Sequence, residues 1–274
     1  MDVFPRAFLL VFCQLAVGGL FCLAIPPFHE IERGYYKSSA FVYVLIAALT
    51  LAGRVALWWR AAADARGGGL EVTLWALFVA AAAGYFASLW GERVILRARL
   101  FTASWLSGTA ALVVLAEGYR QSSTLAVETI IFPLSFLLSA LLLGAAASGM
   151  LLGHWYLIDR DLSLTPLNRT VTLYRRSLTV QTALIAVTIA GLAVAGAAAA
   201  RAGVHDLLTD HRALLATRLA VSPLAAGGLG WMIRRTLDVP QTMAATGLFY
   251  IAVLAVLVGE MLGRFILFRT GLPL

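Results

Sequence analysis

Apolar runs of about twenty residues recur along the whole chain, and short polar breaks separate them. A run of that length is what a helix rising ~1.5 Å per residue needs to cross a ~30 Å hydrocarbon core. The pattern predicts eight spans, over residues 7–26, 40–59, 71–90, 100–118, 130–158, 177–200, 213–233 and 242–268. The expected fold is therefore all-α, a polytopic integral membrane helix bundle, with residues 1–274 forming a single transmembrane domain. An even number of crossings puts both termini on one side. The first run is too long for a signal peptide and lacks a small-x-small cleavage site, so it is read as a retained span.

Composition agrees. Of the 274 residues 61% are hydrophobic and 13% charged, with a mean hydropathy of +0.87. A soluble domain is about one quarter charged. The net charge of +7 comes from twenty Arg and one Lys. Most of these lie between apolar runs, at membrane faces, which excludes nucleic acid as a partner and leaves the lipid membrane. Arg6, Arg60, Arg66, Arg120, Arg201, Arg212 and Arg269 lie on the face shared with the termini. Arg33, Lys37, Arg93, Arg97, Arg99, Arg160, Arg169, Arg175, Arg176, Arg234 and Arg235 lie on the other. Eleven against seven predicts that both termini are outside the cytoplasm of a bacterial-type inner membrane. Cys13 and Cys22 match no redox or metal-binding spacing and read as small apolar side chains.

Charge inside the spans changes the picture further. A charged group at mid-bilayer costs about 2.5–3.5 kcal/mol on insertion scales and marks a functional position by default. Arg54, Glu71, Glu117, Arg218, Glu260 and Arg264 all fall toward the terminal face, from five different spans. The first four lie near span ends, where long side chains snorkel to the headgroups. Glu260 lies deeper, four residues before Arg264, and Gly259 and Gly263 flank the pair. That spacing puts acid and base on one helix face, with room for a neighbouring backbone to approach. Such a pair either fixes helix contacts or lines a polar pocket.

Other chemistry is sparse. His205 and His211 lie in a polar loop, whereas His29 and His154 lie at equivalent ends of the first and fifth spans. Two histidines at one depth are the minimum for a haem held between helices, although haem proteins of this kind usually ligate from inside the spans. No phosphate-binding, zinc-hydrolase or nucleophile-elbow motif is present.

The opening stretch 10-LVFCQLAVGGLFCLAI-25 and the closing stretch 254-LAVLVGEMLGRFILF-268 resemble the two ends of the membrane-anchor subunit of dimethyl sulfoxide reductase. Members of that family have an early helix with a glutamine followed by Gly-Gly. Their last helix carries Gly-Glu-x-x-Gly-Arg, matched here by Gly259, Glu260, Gly263 and Arg264. The resemblance implies a respiratory electron-transport subunit. It would anchor an iron–sulfur subunit and a molybdenum catalytic subunit and oxidise menaquinol near the outer face, with no haem and no covalently bound cofactor. Glu260 and Glu117 would then be the proton acceptors, and Arg264, Arg54, Glu71 and Arg218 would bind quinone or form structural ion pairs. One departure stands out: the family's histidine between spans two and three is absent from 58-WWRAAADARGGGLEV-72. Two other readings of the residues remain, a structural or assembly subunit without its own chemistry and a small-molecule transporter.

Overall fold

The computed structural model describes residues 3–61, 69–120, 127–159 and 161–274. Arg66 and Arg160 of the charge count, and residues 62–68 of the stretch where a histidine is absent, lie outside the described residues. Among the described residues there are ten α-helices, one π-helical segment and no strand. The helices are α1 (Val3–Cys22), α2 (Arg33–Ala61), α3 (Gly69–Ser88), α4 (Val94–Glu117), α5 (Glu128–Ile158), α6 (Thr165–Ala195), α7 (Ala198–Thr209), α8 (Arg212–Leu219), α9 (Gly227–Asp238) and α10 (Thr242–Thr270). Eight stretches are long and apolar enough to cross a membrane, the seventh being α8, the π segment and α9 taken together as Arg212–Asp238. The all-α polytopic bundle is thus the architecture of the chain. The Phe4 and Phe265 rings lie 6.3 Å apart, so the start of α1 and the end of α10 share one face. That face is called the terminal face below.

Helices α1 and α5 form the centre. Helix α1 packs on α2, α4, α5 and α10, and α5 packs on α1, α4, α6 and α10. In lipid, apolar side chains gain little by leaving one apolar medium for another, so close backbone approach and hydrogen bonds must hold helices together. The sequence supplies both. A Cβ at Gly18 would stand 1.7 Å from the Ala140 oxygen, and one at Gly144 would stand 2.1 Å from the Gly18 carbonyl carbon. The two backbones are in direct contact. One turn away, Gln14 Nε2 donates to the Phe136 carbonyl at 3.1 Å. The Tyr43 ring of α2 covers Gly19, and its hydroxyl hydrogen-bonds Ser148 at 2.8 Å.

Two elements depart from the hydropathy pattern. The sixth span is expected over 177–200, but α6 begins at Thr165 and ends at Ala195. Pro166 sits in its first turn, where a missing N–H costs nothing, and the polar stretch that follows continues the helix past the apolar run. The other end breaks at Gly196, whose backbone is extended. A Cβ there would meet the Leu192 oxygen at 2.4 Å. The alanines after it form the short α7, which buries Ala200, Gly203, Val204 and Leu207 along one face. The seventh span is interrupted by π-helical turns over Ala220–Ala226 around Pro223. Proline lacks an N–H and its ring crowds the carbonyl four residues back, and a wider turn accommodates both. Tyr174 of α6 donates to the Ala226 carbonyl at 2.7 Å, at the end of those turns.

The seam between α1 and α5 generates a direct test. Gly18→Val should lower the midpoint of thermal unfolding in detergent, through overpacking of about 1–3 kcal/mol or more. Gly191→Ala, at a position with nothing within 4 Å, should leave it unchanged. Equal behaviour of the two variants would contradict the seam.

Candidate functional site

Glu260 and Arg264 on α10 and Arg218 at the end of α8 are all completely enclosed, at 0% exposure. Arg218 Nη2 donates to Glu260 Oε1 at 2.9 Å. Gln181 Nε2 of α6 donates to the same oxygen at 2.8 Å and to Ser139 Oγ of α5 at 3.1 Å. Arg264 Nη2 stands 3.5 Å from Glu260 Oε2 and donates to Ser139 Oγ at 2.6 Å. Its guanidinium lies 4.6 Å from the centre of the Phe136 ring. Four helices thus meet on one carboxylate. Two arginines against one glutamate leave one positive charge in excess.

Local sequence explains how three charged side chains fit there. A Cβ on Gly259 would press on Ser222 at 2.7 Å and on Arg218 Nη1 at 3.0 Å. One on Gly263 would press on the Leu274 oxygen at 2.2 Å and on Arg218 Nε at 3.2 Å. The two glycines therefore make space for Arg218 and for the segment that folds back after α10. Gly271, with φ 74°, turns the chain there, and its N–H closes the helix on the Leu267 carbonyl at 2.9 Å. The i, i+4 pairing of Glu260 with Arg264 exists, but the shorter contact runs across helices to Arg218.

The other charged residues separate into two further groups. Arg54 Nε donates to Glu71 Oε1 at 2.7 Å, and a second contact joins Arg54 Nη2 to Glu71 Oε2. This fork ties α2 to α3 and leaves both side chains largely covered. Glu117 pairs with Arg120 Nε at 3.2 Å and keeps 34% of its side chain accessible. Arg120 also donates to Thr129. Tyr119 stands between the groups. It lies within electrostatic reach of Arg54 and Arg264, and its ring packs 6.0 Å from Phe136 and 5.5 Å from Phe268. Burial raises its phenol above the ordinary value, opposed by the Arg54 guanidinium, so it stays a neutral donor near pH 7. A cavity of about 430 Å³ opens beside it, lined also by Gly203, Asp206, Phe268 and Arg269.

The histidines occupy separate surroundings. His29 lies between α1 and α2, with its imidazole 84% accessible and 3.7 Å from Glu30. His154 Nδ1 lies 3.3 Å from the Tyr250 hydroxyl. Among the described residues, no three of His, Cys, Asp and Glu stand together to hold a metal ion. Cys13 and Cys22 are buried free thiols.

Gln181, Ser139 and Tyr119 are the site residues that a search for formal charge passes over. Gln181 carried a readable signal, an amide inside an apolar run. Ser139 and Tyr119 carried none, since serine and tyrosine are ordinary in and beside spans.

No family description, curated protein or solved structure matches the chain. Fold and site together define its class: a polytopic helical membrane protein with a closed, charged centre between four of its helices.

The geometry orders the variants of this centre. Glu260→Gln strands two buried arginines, and removing one partner of a buried pair costs about 3–5 kcal/mol. Arg218→Met leaves the longer of the two pairs, and Arg264→Met leaves the shorter. Thermal unfolding in detergent should show losses in the order Glu260→Gln, then Arg218→Met, then Arg264→Met. A larger loss for Arg264→Met than for Arg218→Met would contradict the assignment of the cross-helix contact as the stronger one.

Proposed function

We propose that this membrane-spanning bundle is the anchor subunit of a quinol-linked oxidoreductase complex. It would hold an iron–sulfur partner and a catalytic partner at the membrane and oxidise a menaquinol-type quinol near the terminal face. One observation carries this reading. The two stretches that resemble the anchor family, at opposite ends of the sequence, meet on the same turn of α5. Gln14 binds the Phe136 carbonyl while Arg264 covers the Phe136 ring. They act as one packed unit and not as two unrelated apolar runs.

The cavity beside Tyr119 is the place for a quinol headgroup. Its phenol is a neutral donor to a quinol or quinone oxygen, and Phe268 offers an apolar wall. Oxidation removes both electrons and both phenolic protons from the quinol. The electrons pass to the iron–sulfur partner. Glu117, part-exposed and two residues before Tyr119 in the sequence, receives the two protons in turn and passes each to water. Glu260 has no such route, because Gln181 and two arginines close around it.

That closure favours a second reading, in which the chain is a structural or assembly subunit and Glu260 is a packing lock. A mild-detergent pull-down of the native protein, with mass spectrometry of its partners and of extracted lipid, separates the two. Recovery of an iron–sulfur protein together with menaquinone supports the anchor. A large complex without quinone supports the structural subunit. A lone protein with neither partner nor quinone contradicts both and points to transport.

Within the anchor reading, Tyr119→Phe and Glu117→Gln should each slow menaquinol oxidation by about a hundredfold, as loss of a positioned acid–base group does. Recovery of the assembled complex should not change. Unaltered rates in both variants would remove the quinol site from this cavity.

A further inference from the structure

At the face opposite the termini, a second cavity of about 430 Å³ lies between the α1–α2 connection, α3 and the start of α4. Its walls are mainly apolar, with Phe28, Val94 and Ala98 among them, and Arg33, Arg97 and Tyr85 supply polar groups. Arg97 is the unusual member. It is only 6% exposed, yet its Nε and Nη1 have no hydrogen-bond partner. No carboxylate among the described residues lies within ion-pair distance of it. Its guanidinium rests 4.5 Å from the centre of the Phe28 ring, which orients the plane and neutralises nothing. The surrounding loop is fixed, since Tyr36 donates to the Pro26 carbonyl at 2.8 Å.

A buried guanidinium without a counter-ion is costly, and its planar fork matches the oxygens of a phosphate. Val94 and Ala98 are exposed on the outer surface of the bundle at the cavity mouth. A ligand entering there brings an apolar body along the lipid-facing side of α4 and an oxyanion to Arg97. Basic pockets between membrane helices hold anionic headgroups in this way.

We propose that this cavity binds a phosphate oxyanion through Arg97, with Arg33 at its rim. The phosphate is that of an anionic phospholipid or of a free phosphate, and both present the same oxygens to the fork. The site is separate from the cavity beside Tyr119 and is independent of the anchor reading.

The test uses the full chain, delipidated in a neutral detergent. Phosphatidylglycerol, phosphatidylcholine or inorganic phosphate is added, and retention is read by native mass spectrometry alongside the thermal midpoint. Phosphatidylglycerol should be retained in preference to phosphatidylcholine. Arg97→Gln should weaken that retention by about tenfold or more, the worth of a charge-assisted hydrogen bond. Ala98→Trp keeps the arginine and blocks the mouth, so it should weaken retention as well, even if Arg97→Gln fails to fold. Inorganic phosphate that raises the midpoint through Arg97 without lipid retention assigns the site to the free ion. Binding of neither, or retention undiminished in Ala98→Trp, overturns the proposal.

Discussion

The carboxylate of Glu260 sits between two guanidiniums in the interior of a bundle built for lipid, and much of the later half of the chain is arranged around it. Nothing in that interior replaces water except other side chains, so the charge is tolerable only with partners on every side. Those partners come from four helices: Arg218 from α8, Gln181 from α6, Ser139 from α5 and Arg264 from α10 itself. Each placement constrains the backbone. Gly259 and Gly263 keep α10 narrow where Arg218 crosses it, and Ser222, in the π turns after Arg218, packs on Gly259. A buried charge cluster of this kind is a weak source of net stability. It discriminates strongly against any packing that separates its members. It therefore selects one arrangement among the many that interchangeable apolar helices would allow.

The earlier half uses a different device. Gly18 and Gly144 let α1 and α5 touch backbone to backbone, and the amide of Gln14 adds a hydrogen bond across the seam. Phe136 links the two systems, since its carbonyl receives Gln14 while its ring lies under Arg264. A helix rich in small residues, with three serines and the glycines of 144, 149 and 153, is suited to that central place. Function at the terminal face, in the proposed reading, borrows this rigidity. Tyr119 is held between Phe136 and Phe268, and so its hydroxyl is fixed relative to the cavity beside it.

Much of this was legible in the residues, for a physical reason. A bilayer demands long uninterrupted apolar runs, so the number of spans and their approximate positions follow from hydropathy. The places of Glu260, Arg264, Gly259 and Gly263 on one helix face follow from the helical repeat. What the repeat sees is limited to neighbours on the same helix. The closest charged partner of Glu260 is Arg218, forty-two residues away, and that pairing depends on how α8 and α10 pack. Gln181 and Ser139 are neutral, so a search for charge does not find them, although they complete the site. The break at Gly196 and the π turns at Pro223 lie in apolar sequence, where hydropathy continues across a change of backbone path. The grouping of the six charged residues at one depth also divides in three dimensions: the fork of Arg54 and Glu71 ties two helices, and Glu117 with Arg120 faces outward.

The most direct measurement is a double-variant cycle on the cross-helix contact: Arg218→Met, Glu260→Gln and the combination, each compared with the parent by thermal unfolding in detergent. Groups in one buried network couple by about 0.5–3 kcal/mol, whereas independent sites add within about 0.5 kcal/mol. If the carboxylate organises the later helices, the two losses overlap. The combined variant is then more stable than the sum of the single losses implies, with coupling near the upper end of that range. Simple addition of the two losses would mean that Arg218 and Glu260 do not hold each other, and that the bundle stands on its apolar and glycine contacts alone.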